Sequence, residues 1–168
     1  MKETEAKPLE LGVSIKRNAE PGSLPFTMVF GGFDRVEAVR SIFGSDTKEI
    51  LSSLTVDIME TRGYLKIDAE KGSIIVNSRY LREGHETHLY LDVVHELVHI
   101  RQRREGKELW DQRYKYVDRP TEIEAYRAAV NEARKIGLSD AELVDYLKVE
   151  WVPDDDFARL LAVMDVRR

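Results

Sequence analysis

An α+β fold is expected, an N-terminal mixed β-sheet with helices followed by a helical second half. Two patterns predict it: up to residue 84 short apolar runs alternate with polar residues between turn signals, and after Gly84 the apolar residues recur with the 3.6 period of a helix. The third observation is size: 168 residues with 42% hydrophobic content suffice for one core.

In chain order, residues 1–10 are charged and polar and read as a frayed arm, and "LGVSIKR" (11–17) alternates as a half-buried strand does. "NAEPGSLP" interrupts it. "FTMVF" (26–30) reads as a second strand closed by Gly31 and Gly32; Asp34 then caps a helix ended by Gly44, and Ser45 or Asp46 caps another reaching Leu54. "TVDIME" (55–60), "YLKI" (64–67) and "SIIVNSRYL" (73–81) are strand-like, the last two joined as a hairpin by "DAEKG". A long helix is predicted from Glu86 to Glu105, stopping near Gly106. Pro120 suits the first turn of the next, which ends at Gly137. Ser139 opens a helix to about Lys148, and Pro153 with Asp154 to Asp156 opens the last, through Met164. One domain is expected, with residues 1–136 as its core and 137–168 as a helical segment packed on it.

A formal charge of −5 leaves no broad basic surface to neutralise a phosphate backbone, so nucleic acid is not an expected partner. No run approaches the roughly 18 apolar residues of a membrane span, and the start of the chain does not read as a cleaved signal, so neither membrane nor export is expected. The absence of cysteine excludes disulfides, thiolate metal sites and a cysteine nucleophile, and fits a cytoplasmic location. Any metal would need His, Asp or Glu.

Those residues meet in "DVVHELVHIRQ" (92–102). On a helix His95 and His99 lie on one face with Cβ atoms about 5–6 Å apart, so both rings can reach one zinc ion. Glu96 falls beside them, where its carboxylate can hold a water and take its proton. A catalytic zinc site takes three protein ligands, and no histidine follows His99. Glu105 would be carried away as the helix continues. "RPTEIEAY" (119–126) offers Glu122 and Glu124, about 200° apart around a helix, so one of them at most faces the metal. Glu122 shares its side with Ala125, Ala129 and Ala133, a strip that lets two helices approach closely, whereas Glu124 shares its side with Asn131 and Lys135. Glu122 is the preferred third ligand.

"HELVH", followed after 22 residues by a glutamate opening a helix, resembles the gluzincin clan of zinc metallopeptidases, and in size the compact minigluzincins. The resemblance covers residues 55–136 and implies a zincin-like core, with His95, His99 and Glu122 as zinc ligands and Glu96 as general base. It implies hydrolysis of a peptide or protein substrate, with "SIIVNSRYL" as the edge strand on which that substrate lies. Where many clan members carry Asp or Asn to support a histidine ligand, four residues beyond the glutamate, this chain has Tyr126; Asp92 or a backbone carbonyl is the substitute. His88, Tyr114 and Tyr116 are candidates to stabilise the oxyanion.

The rival reading is a non-catalytic interaction or regulatory scaffold, zinc structural or absent. Its helix would be simply buried, with the histidines satisfied by carbonyls and Glu96 by an arginine. In the tail, Leu143, Tyr146, Leu147, Trp151, Phe157, Leu160 and Leu161 recur at helical spacing as packing residues, or as a segment gating the cleft. Asp154 to Asp156 read as a helix-start charge cluster, not a calcium site.

Overall fold

The computed structural model describes residues 12–168; the arm expected over 1–10 lies outside them. The chain is α+β: eight α-helices and six short strands among the described residues.

The strands form two sheets. β1 (Ser14–Ile15) pairs antiparallel with β3 (Phe30–Gly31). The main sheet has the order β2-β4-β6-β5, from β2 (Gly22–Pro25), β4 (Thr55–Met59), β5 (Leu65–Asp68) and β6 (Ser73–Asn77). It is mixed, because β4 and β6 run parallel while β2 and β5 are antiparallel to their neighbours.

Several expectations are corrected. "FTMVF" is not a strand: Phe26–Val29 is a helical turn, α1, and only Phe30 continues into β3. Phe26, Val29, Phe30 and Phe33 are all buried while Thr27 and Met28 are exposed, which is helical spacing carried by a run too short to reveal it. The supposed breaker "GSLP" is instead β2, with Pro25 tolerated because β2 is a sheet edge. "SIIVNSRYL" ends as a strand at Asn77, whose side chain accepts from the Arg79 N–H and starts α4 (Ser78–Glu83); moreover β6 lies between β4 and β5, so the edge near α5 is β5. Asp34 caps nothing. It sits in a 3-10 turn before α2 (Glu37–Phe43), which Gly44 ends, and α3 (Thr47–Ser53) follows without a side-chain cap.

The second half matches the sequence pattern closely. α5 (Glu86–Arg104) is buried around its whole circumference from Leu89 to Ile100, apart from Asp92, and Gly106 turns the chain with φ 77°. α6 (Pro120–Lys135) lies along α5 through Ala125, Ala129 and Ala133, all fully buried. α7 (Asp140–Leu147) opens with a capping box between Ser139 and Glu142, and α8 (Asp154–Val163) closes the fold. One hydrophobic cluster runs from Phe26 to Val166, so α7 and α8 belong to the same core as the sheet.

Two ties hold β5 beside α5. Arg103, near the end of α5, donates to the Ala69 and Glu70 carbonyls of the β5–β6 turn, and Gly72 there has φ 74° with no room for a Cβ, which would stand 2.6 Å from the guanidinium. Asn77 donates to the Gly63 carbonyl at 2.7 Å, fixing the loop before β5.

Candidate metal centre

The motif sits at the middle of α5, where the helix is enclosed by β5, α2 and α6. Burial is what makes its polar residues informative, since a buried ionisable group needs a partner. Glu122 enters from the first turn of α6, which Pro120 starts. The alanine strip then draws α6 close enough for a short carboxylate to reach two imidazoles on the neighbouring helix.

His95 Nε2 lies 3.2 Å from Glu122 Oε2, His99 Nε2 lies 3.2 Å from Glu122 Oε1, and the two Nε2 atoms are 3.2 Å apart. Three donors at the corners of a tetrahedral site with bonds of about 2.05 Å would stand about 3.3 Å apart. The two Nε2 atoms have that spacing and each faces its own oxygen of the Glu122 carboxylate; one donor atom from each of His95, His99 and Glu122 lies within 4.8 Å of the others, so the group could hold a metal. All three are nearly inaccessible, with Glu122 and His99 each 2% exposed. The histidines do not turn to carbonyls, as a merely buried helix would have them do.

Burial lowers His95, and its hydrogen bond to the Glu122 carboxylate does not fully offset this; burial also acts to lower His99, but Glu122 and the charge of Glu96 outweigh it and hold that imidazole up at about 9. Burial raises Glu122, yet its bonds to both histidines win and leave it below the ordinary carboxylate range. Without metal, then, one proton on His99 faces one negative charge on Glu122. A metal ion competes for the same atoms.

Glu96 is buried, with burial pushing it up to about 8, and no arginine or lysine pairs with it among the described residues. Its carboxylate lines a cleft shared by two cavities, one of about 380 Å³ that reaches His99, Glu122 and Trp110, and one of about 210 Å³ that runs toward the start of α5. β5 forms part of the wall through Leu65.

Glu124, the other candidate carboxylate, turns away and accepts from Arg101 and Gln102. Glu105 pairs with Arg101 and Lys107 at the surface. Tyr126 does not accept from an imidazole: its ring packs edge-on against His95 at 4.5 Å between centroids, and its hydroxyl meets that of Tyr116 at 2.8 Å. Asp92 does not support a histidine either, but accepts from Tyr80 and Tyr146. Support for His99 comes instead from Gln102, whose Oε1 lies 2.7 Å from Nδ1 and whose Nε2 donates to the Thr121 carbonyl and to Glu124. Gln102 is fully buried and went unread, although its place three residues after His99 puts it on the same face. Of the oxyanion candidates Tyr116 lines both cavities, His88 only the smaller, and Tyr114 neither.

Comparison with protein-family models, with curated proteins and with solved structures gives no match for this chain.

Proposed function

We propose that this protein is a small zinc metallopeptidase of gluzincin type, in which His95, His99 and Glu122 hold the ion and Glu96 is the general base. The observation that carries the reading is two imidazole nitrogens 3.2 Å apart, each 3.2 Å from a different oxygen of one buried carboxylate, beside a buried glutamate that no arginine or lysine pairs with among the described residues and that faces the same cleft. Two nitrogens and one carboxylate oxygen suit zinc. When bound, the ion supplies Lewis-acid polarisation of the scissile carbonyl and of water.

The chain's own residues do the rest. Glu96 takes the proton of the attacking water and returns it to the leaving amine, both within the enclosed cleft. Gln102 fixes the His99 ring with Nε2 toward Glu122, where it would be free to hold the ion, and the packed Tyr126 ring restrains His95. β5, an edge strand with one side of its backbone unpaired, offers an extended peptide a line of hydrogen bonds along the cleft.

Elemental analysis of protein purified without chelator tests the site. One zinc per chain is expected in the wild type and in Glu124→Ala, and none in Glu122→Ala. Glu96→Gln should keep the zinc while peptide hydrolysis falls by about 10²–10⁴. Zinc retained in a wild type that cleaves no peptide would instead favour a scaffold with a structural ion, and no zinc uptake at all would end the proposal.

A further inference from the structure

The smaller cavity contains a group that the hydrolytic chemistry does not use. Asp92 lies one turn before Glu96 on the same face of α5 and lines the cavity floor. Its Oδ2 accepts from Tyr80 of α4 at 2.5 Å and its Oδ1 from Tyr146 of α7 at 3.0 Å. Around it the aromatic rings are continuous: Tyr64 stands 4.6 Å from Tyr80 and 5.6 Å from Trp151, and Tyr146 stands 5.3 Å from His88 on the other side. Residues from three separate helices, the loop before β5 and the loop before α8 therefore converge around one carboxylate.

Asp92 is enclosed by protein yet not sealed, because it opens onto the cavity. The two phenols occupy one acceptor position on each oxygen, and a carboxylate has about four. Among the described residues no lysine, arginine or histidine comes within ion-pair distance of it. Lys148 and Asp145 at the rim are exposed, and burial holds His88 below its ordinary pKa, so neither wall brings a charge inward. The consequence for Asp92 is a carboxyl pushed up to about 7 by burial. What satisfies a recessed carboxylate among aromatic rings is an organic cation, attracted both to the charge and to the rings.

We propose that this cavity receives a cationic group of the substrate, an ammonium or a guanidinium, with Asp92 as counter-ion and Tyr64, Tyr80 and Tyr146 as its walls. That the cation belongs to a peptide rests on the peptidase reading; the cation site itself does not. Because the cavity adjoins Glu96, the cation belongs to a residue close to the cleaved bond.

The first arm needs neither metal nor turnover. n-Butylammonium, n-butylguanidinium and the neutral amphiphile 1-pentanol are titrated into wild-type protein while the tyrosine ring resonances are followed by NMR. Both cations should shift the rings of Tyr64, Tyr80 and Tyr146 saturably and pentanol should not; Asp92→Asn should weaken the cations at least tenfold, and Asp145→Asn at the rim less than twofold. Should Asp92→Asn not fold, Tyr64→Ala, which keeps the carboxylate and both its hydrogen bonds, should weaken them at least threefold. Pentanol binding as well as the cations, or undiminished cation binding in these variants, overturns the proposal.

The second arm digests a peptide mixture with the zinc-loaded protein. Cleavage next to lysine or arginine identifies a side-chain cation, and cleavage that requires a free, unacetylated N-terminus identifies the α-ammonium; Asp92→Asn should lose the preference while still cutting other bonds. Cations that bind through Asp92 without any peptide being cut would leave the pocket standing and remove the peptidase reading. Peptides cut without regard to charge, with no cation binding, would do the reverse.

Discussion

Gln102 is the residue whose role is most sharply defined by geometry alone. Its amide oxygen faces His99 Nδ1 on one side and its amide nitrogen donates to Thr121 and Glu124 on the other, so it links α5 to the start of α6 at the level of His95, His99 and Glu122. Gln102→Ala removes the group that sets which ring nitrogen of His99 is free. Zinc affinity should fall by about 10–100-fold, measured by competition with a chelator of known affinity. An affinity within twofold of wild type would show that His99 needs no such partner. Glu124→Ala, which removes a neighbour of Gln102 but not Gln102 itself, should have a much smaller effect.

At the scale of elements, the three strands β2, β4 and β6 are stitched by side chains as well as by their backbones. Asp57 of β4 is buried and accepts from Ser23 of β2 and from Ser73 of β6, the latter at 2.7 Å. These hydrogen bonds, Ser23 first, hold the Asp57 carboxyl below its ordinary value. The sign follows from that direction. A carboxylate more acidic in the folded than in the unfolded state contributes stability above the ordinary carboxylate pKa of about 3.9, and the contribution is lost as pH falls through the lower folded value. Ser73→Ala should therefore cost about 2 kcal/mol near neutral pH and much less near pH 2, read from urea unfolding at the two pH values. Equal costs at both would mean that the serine matters for packing and not for the charge.

For the whole molecule, metal and tail make separate predictions. The proposed ion binds atoms from both α5 and α6, the two central helices, so zinc added to metal-free protein should raise the melting temperature; a free concentration a thousandfold above Kd corresponds to about 4 kcal/mol. Glu122→Ala should show no such rise. The tail has two distinct parts. Leu143, Leu147, Phe157, Leu160 and Leu161 are buried in the common core, and burying each such side chain contributes about 1.5–3 kcal/mol against a total stability of about 5–15 kcal/mol. A chain ending at residue 136 should consequently fail to unfold cooperatively, and its loss of activity would say nothing about gating. Trp151 is different: it is 53% exposed and overhangs the cleft against Tyr64 and Gly63. Trp151→Ala should change stability by under about 1 kcal/mol and speed the loss of zinc to a chelator, whereas an unchanged rate would discard the idea that the tail gates the cleft.

Sequence alone determined the helical half and which His, His and Glu side chains meet between α5 and α6. Gly84, Gly106, Pro120 and Gly137 mark where backbone geometry changes, and the positions of His95, His99 and Glu122 on their helices follow from a period that long segments express clearly. The choice of Glu122 over Glu124 was legible for the same reason, in the alanines that share its face. Tertiary structure decided what depends on contacts distant in sequence. "FTMVF" and "GSLP" are too short for periodicity to separate helix from strand, and Pro25 is admissible because among the described residues no strand lies beyond β2. That β5 and not β6 is the edge is a matter of pairing order, to which residue pattern is indifferent. The partners of Asp92 and Tyr126 likewise emerge only when α4, α7 and the turn before α6 close around the site, because a hydrogen bond is specified by two positions at once and a sequence displays them one at a time.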